Sequence, residues 1–229
     1  MNLRLAVAGC IVLAAVAGPA GAQTAADRQS GRVEVDGGAG LLSGATLGDS
    51  DANLRANSQT GRTARLFATS SDLSRAPLWS ARVSYSLTRR FVLEGALTKS
   101  SPDVRTAVTS DAEGAASVTI AERMDQFFLD GSLLVMLDEA RIGTRLVPFV
   151  AVGGGYLRQL HEGQTFVEEG QVYSAGGGVK YWLMLRKAGT VRAAGLRGEA
   201  RVYLLRGGFS FDDAARSRMA ISGSVFVGF

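Results

Sequence analysis

Met219-Ala220-Ile221-Ser222-Gly223-Ser224-Val225-Phe226-Val227-Gly228-Phe229 closes the chain. Counting back from Phe229, every second residue is Val227, Val225, Gly223, Ile221 and Met219. The intervening Gly228, Phe226, Ser224, Ser222 and Ala220 form a smaller and more polar set. Alternation at period two predicts a strand with one apolar face. A strand that runs to a free carboxylate and ends on an aromatic fits poorly in a water-soluble core. It fits a membrane barrel, whose outer band meets lipid and carries aromatics at its rim.

The other end of the chain agrees. Leu5 to Gly18 is an unbroken apolar run preceded by Arg4, and Ala20-Gly21-Ala22 supplies small residues at a cleavage position before Gln23. Residues 1–22 therefore read as a secretory signal peptide, too short to span a bilayer as a helix. Cys10 lies inside the apolar run, so Val7-Ala8-Gly9-Cys10 is not read as a lipidation site. Without residues 1–22 the chain keeps 24 Lys+Arg against 21 Asp+Glu and has no cysteine. It offers no thiol to an oxidising compartment. Its arginines are scattered singly between acids, which argues against a nucleic-acid partner. No later apolar segment is long enough for a membrane-spanning helix.

After a short periplasmic segment, 23–30, eight alternating segments follow at roughly 31–42, 78–88, 91–101, 124–137, 146–158, 171–184, 195–205 and 218–229. Each has about the ten residues that a tilted strand needs to cross a bilayer. Connections after the second, fourth and sixth strands are short, and those after the odd strands are longer: 43–77, 102–123, 159–170 and 206–217. This predicts an all-β chain, an eight-stranded antiparallel up-and-down transmembrane β-barrel over 31–229, with turns on one side and loops on the other.

Parity divides the faces. The lipid-facing set is Trp79, Ala81, Val83, Tyr85 and Leu87; then Phe91, Leu93, Gly95 and Leu97; then Phe127, Leu129, Gly131, Leu133, Val135 and Leu137. It continues with Phe149, Ala151, Gly153, Gly155 and Leu157, with the odd residues from Tyr173 to Leu183, and with Leu196, Gly198, Ala200, Val202 and Leu204. No charge falls in these sets, as expected where a mid-bilayer Arg or Lys would cost about 2–4 kcal/mol. Two aromatic girdles are predicted: Trp79, Phe127 and Tyr173 on the loop side, and Tyr85, Phe91, Phe149, Tyr181 and Phe229 on the turn side.

The opposite faces carry Arg32, Glu34, Asp36, Arg82, Glu94, Asp130, Lys180, Arg197, Glu199 and Arg201, five of each sign. An eight-stranded barrel is only wide enough inside for side chains, and an unpartnered buried charge there costs about 3–5 kcal/mol. The set therefore reads as a structural interior charge network. Phe128, Leu134 and Met136 depart from the polar rule and are expected to pack beside it.

Pro148-Phe149-Val150-Ala151-Val152-Gly153-Gly154-Gly155-Tyr156, Gly176-Gly177-Gly178-Val179-Lys180-Tyr181-Trp182 and the terminal Val225-Phe226-Val227-Gly228-Phe229 resemble the small OmpA/OmpX-type bacterial outer-membrane β-barrel family. The resemblance covers 31–229. It implies a monomeric barrel inserted by the barrel assembly machinery, with Ile221, Val225, Val227 and Phe229 as its assembly signal. It also implies contact with outer-membrane lipids and lipopolysaccharide. The peptidoglycan-binding domain that follows the barrel in OmpA itself is not expected here.

Signals for chemistry are thin. His161 is the only histidine and is followed by Glu162-Gly163, which breaks the His-x-Ser pair of a barrel lipid A deacylase. Asp212-Asp213 and Glu168-Glu169 read as solvated acidic pairs, and the glycine runs at 153–155 and 176–178 do not continue into a phosphate loop. No catalytic, cofactor or metal residue is expected. The leading expectation is a non-enzymatic barrel with a plugged polar interior and long extracellular loops, serving envelope structure or surface interaction. In loop one, Arg55, Arg62, Arg65 and Arg75 are placed to meet glycolipid phosphates. A small porin-like channel and a lipid-modifying barrel enzyme are the alternatives.

Overall fold

Residues 32–55, 63–109, 118–161, 167–186, 189–208 and 215–229 are described by the structure, a computed structural model. The expected signal peptide, 1–22, and the expected 23–30 segment lie outside them. Period-two alternation appears throughout as extended chain: β1 (Val33–Leu42), β2 (Ala45–Arg55), β3 (Thr63–Leu73), β4 (Ala76–Ser86), β5 (Phe91–Ser100), β6 (Asp103–Thr109), β7 (Val118–Met136), β8 (Leu146–His161), β9 (Val167–Leu185), β10 (Ala193–Gly207) and β11 (Arg216–Gly228). All pairings are antiparallel. Eight strands close into a ring in the order β1-β4-β5-β7-β8-β9-β10-β11, with β11 returning to β1. The closing seam runs from Glu34 opposite Gly228 to Leu42 opposite Ala220. Closure pairs the ring's backbone groups, the condition for crossing hydrocarbon with strands.

These eight strands are the eight expected from alternation. The loops are not. Within 43–77 the described residues form the paired strands β2 and β3, and within 102–123 they form β6 and the first residues of β7. Together they add β2-β3-β6 to the upper part of β7 as an extension of the barrel wall beyond its rim. β8 also runs on to His161 and β9 starts at Val167, so most of the expected third loop is strand. Leu47, Leu73, Val104 and Met124 form a small buried cluster where the extension meets the barrel.

The opposite end is tight. Between β4 and β5 the Thr88 hydroxyl accepts the backbone N–H groups of Arg90 and Phe91 at 3.2 and 3.0 Å. Between β7 and β8 a single 3-10 turn, Asp138–Ala140, is followed by Gly143 at φ +64°. That left-handed conformation suits a residue without Cβ.

On the ring, burial alternates as parity predicts for seven strands. Along β4, Ala76, Leu78, Ser80, Arg82, Ser84 and Ser86 are buried while the residues between are exposed on the outside. β8 is the exception to the expected assignment. Phe149, Ala151 and Leu157 are 2, 3 and 1% exposed and point into the barrel, whereas Val150, Val152 and Tyr156 point out. Gly153 and Gly155 share the inward parity, so the whole lipid-facing set for this strand is corrected. Phe149 is accordingly no part of the turn-side aromatics. The reason lies in the composition of β8: it has apolar residues on both parities and three consecutive glycines at its centre. Parity is decided instead by pairing, which sets Phe149 opposite the inward Met136 and Leu157 opposite the inward Phe128. The correction can be measured. Val152→Phe should change stability by less than about 0.5 kcal/mol, since lipid accepts either shape. Ala151→Phe should lose about 1–3 kcal/mol by overpacking a filled interior. Urea unfolding from lipid vesicles would read both, and the reverse order would restore the odd residues to the lipid face.

Candidate functional site: the charged interior

Glu34, Asp36, Arg82, Glu94, Asp130, Lys180, Arg197, Glu199 and Arg201 lie on the inward parity of their strands, and Arg32 continues that parity just ahead of β1. Each is buried, the most exposed being Arg32 at 8%. Inward parity on β10 puts Arg197, Glu199 and Arg201 in a column, and the ring brings acids from β1, β5 and β7 and Arg82 from β4 against it. Arg197 meets both oxygens of Glu94, its Nη2 lying 3.2 Å from Oε1, and lies 2.7 Å from Glu199 and 3.8 Å from Asp36. Arg201 reaches Glu94 at 2.8 Å and Asp130 at 3.1 Å, and its Nε donates to Glu199. Arg82 pairs with Asp36 at 3.2 Å and lies 3.6 Å from Glu199. Serines complete the shell: Ser84 donates to Glu94 at 3.1 Å, Ser132 to Asp130 at 3.2 Å and Ser224 to Asp36 at 2.8 Å.

Three arginines and four carboxylates thus share one layer. Nearer the turns, Lys180 pairs with Glu34 and sits 5.0 Å from the centre of the Phe226 ring. Arg32 takes no part in the central layer. Space for the long side chains comes from glycines on the adjacent strand β9, where Gly176 is the cross-strand neighbour of Arg201. A Cβ on Gly176 would lie 2.8 Å from Cγ of Arg201 and 2.3 Å from the Ala200 carbonyl oxygen.

Apolar layers lie on both sides of the charges. Towards the turns, Val92, Leu134, Met136, Val147, Phe149, Ala151, Trp182, Ala193 and Phe226 form one cluster. Its rings are tied together by a T-shaped contact between Trp182 and Phe226 at 5.7 Å and by the Arg197 guanidinium over Phe149 at 4.7 Å. Towards the loops, Leu42, Leu78, Phe128, Leu157, Val172, Tyr203, Leu205 and Ala220 form another. Leu134 and Phe128, two of the three inward departures expected on β7, belong to opposite layers, and Met136 joins Leu134.

Parity also points Arg218 inward, a sixth buried cation that the sequence reading missed. It is 1% exposed, and its guanidinium donates to the carbonyl oxygen of Ser43 at 2.7 Å, to Gln126 Oε1 at 2.6 Å and to the carbonyl oxygen of Ser74 at 3.4 Å. One arginine thus ties both feet of the β2–β3 pair to β7. The signal was available: Arg218 continues the inward series Phe226, Ser224, Ser222, Ala220 by one more step.

The outward side chains complete the arrangement. Trp79 and Tyr173 towards the loops, and Tyr85, Phe91, Tyr181 and Phe229 towards the turns, are all exposed, and Phe127 is half-buried. Ile221 and Val225 are exposed on β11, with Val227 half-buried between Val225 and Phe229. The charges nearest this belt lie just beyond it, with Lys99 paired to Asp125 at 3.0 Å beside Phe127. Arg75 is exposed between β3 and β4, Arg55 and Arg65 lie on β2 and β3, and Arg62 falls outside the described residues. His161 ends β8 opposite Met124, and Glu168 and Glu169 fall on β9. Asp212-Asp213 lies outside the described residues.

A closed eight-strand ring with charges inside and an uncharged apolar belt outside inverts the polarity of a soluble protein. It has the fold of an outer-membrane β-barrel. Neisserial surface protein A, a crystal structure, superposes on 87% of this chain and 98% of its own with a TM-score of 0.51 at 10% identity. The outer-membrane protein OprG from Pseudomonas aeruginosa aligns over 87% of this chain and 96% of its own, with a TM-score of 0.45 at 12% identity. No protein-family model matches the sequence, and no curated protein is similar to it in sequence. At such identities the likeness is one of fold: the barrel is shared and the side chains that line it are this chain's own.

Proposed function

We propose that this outer-membrane barrel is non-enzymatic and non-conducting, and that it serves envelope structure or surface interaction through the part that rises beyond its rim. The observation that carries this reading is the layering of the lumen. Buried apolar clusters lie on both sides of a charge layer whose members are paired, which supports a plugged lumen over an open one. The charge layer links β1, β4, β5, β7 and β10 through ion pairs, which suits a rigid support for the β2-β3-β6-β7 extension. Its partners on this reading are outer-membrane lipids and lipopolysaccharide, with the barrel assembly machinery during biogenesis, and the barrel works as a monomer. Its inward carboxylates are engaged by arginines, serines and Lys180, which leaves them poorly placed as general bases.

Planar-bilayer recording tests the reading. The purified barrel should give no discrete conductance steps, and a strain lacking it should make unaltered lipid A. Reproducible ohmic steps would turn the protein into a small pore. A change in lipid A acylation restored by the wild-type gene would turn it into an enzyme.

A further inference from the structure

Charge is unevenly distributed along the barrel axis. The loop-side segments 43–77, 99–125, 158–170 and 206–218 together carry eleven basic and thirteen acidic residues. The ten-residue interior set is balanced. The turn end is different. Its three connections place Arg89 and Arg90, Arg141 and Arg145, and Arg186 and Arg192 among the described residues, against only Asp138 and Glu139. Those two acids already have partners: Arg141 lies 2.8 Å from Asp138, and Arg90 pairs with Glu139. An α-carboxylate at Phe229 would offset one more charge. The excess at this end remains positive.

Depth selects the partner. The arginines lie on three sides of the ring, and Arg89, Arg90, Arg145 and Arg186 are exposed. Arg90 directly precedes the outward Phe91, while Arg145 adjoins Leu146, whose cross-strand neighbour is the outward Tyr181. At about 3.3 Å of rise per residue, these guanidinium groups sit just outside the hydrocarbon edge that the aromatics mark. Turns this short hold them in the headgroup layer and give them no reach into the space beyond. A guanidinium fork matches phosphate oxygens, and a lipid with net negative charge gains over a zwitterionic one at such a site.

We propose that the turn end is a docking surface for the phosphate headgroups of anionic phospholipids in the adjoining leaflet. This rests on the reading that the turns face the periplasm, and it makes the basic ring an anchor that fixes the depth of the barrel.

The test uses the folded protein in nanodiscs of phosphatidylcholine with an admixture of phosphatidylglycerol, followed by native mass spectrometry of the lipids retained. The anionic lipid should be enriched about five-fold for each guanidinium engaged, and the enrichment should fade in about 0.5 M salt. Combined Arg145→Gln, Arg186→Gln and Arg192→Gln should bring retention close to parity. A loop-side control, Arg105→Gln, Arg123→Gln and Arg206→Gln, should leave it unchanged. Should the turn variant not fold, the salt dependence of the wild type still decides. Equal retention of both lipids by the wild type, or loss in the loop-side control instead, would overturn the proposal. So would tight binding of an acidic cell-wall peptide, dependent on the turn arginines, in discs of phosphatidylcholine alone. Protease accessibility of segment 56–62 on intact cells reports orientation separately, so a failure of the periplasmic assignment would not be mistaken for a failure of lipid binding.

Discussion

Arg201→Leu should destabilise the barrel by about 3–5 kcal/mol, the loss expected when buried charges are left without their partner. Arg201 is shared by Glu94, Asp130 and Glu199. Its removal leaves Asp36, Glu94, Asp130 and Glu199 facing only Arg82 and Arg197. Glu94→Leu should cost less, although Glu94 touches two arginines, because three acids then face three arginines. The asymmetry follows from the odd charge count of the central layer, and pairwise contacts alone would miss it. Equilibrium unfolding in urea from lipid vesicles, followed by the fluorescence of Trp79 and Trp182, would measure both. If the two losses were equal, or if Arg201→Leu cost under about 1 kcal/mol, the layer would not act as one connected set.

Replacing Val225, Val227 and Phe229 together by serine should abolish accumulation in the outer membrane. Val225 and Val227 lie on the outward parity of β11, the strand that closes the ring against β1, and Phe229 continues that parity one residue past its end. Each apolar side chain moved from water into hydrocarbon contributes about 1.5–3 kcal/mol. Losing three of them removes an amount comparable with the whole stability of a typical domain. The same change erases the apolar pattern expected to mark the strand for the assembly machinery. Cell fractionation should show degradation products or periplasmic aggregate. Wild-type levels of folded, surface-exposed protein would mean that the terminal strand is neither a recognition signal nor needed for closure. Folding of the variant into synthetic vesicles separates the two roles: success there with failure in cells would assign the residues to recognition.

How legible the barrel was depended on local contrast between the two faces of each strand. β4, β5, β9 and β10 alternate charged or hydroxyl side chains with apolar ones, so parity could be read residue by residue. The burial of the charged parity follows directly, because hydrocarbon excludes charge. β8 lacks that contrast. Val147, Phe149, Ala151 and Leu157 on one parity look no different from Val150, Val152 and Tyr156 on the other. Arg158, its one charge, lies outward beyond the belt, where it says nothing about the lumen. The β2–β3 pair and β6 were missed for a related reason. Their residues are mostly small and hydroxylated, as in Ala68-Thr69-Ser70-Ser71, so the alternation falls below what a pattern reading can resolve.

The number of strands in the ring, its inside-out polarity and the grouping of short turns at one end belonged to the sequence, because each rests on period-two alternation and connection length, which are local. Which carboxylate meets which arginine, which way β8 faces and how Arg218 ties down the outer β2–β3 pair belonged to the closed fold. Those depend on register around the ring, where residues far apart in sequence, such as Asp36 and Ser224, become neighbours. Closure sets all the registers at once, and no single strand carries that information.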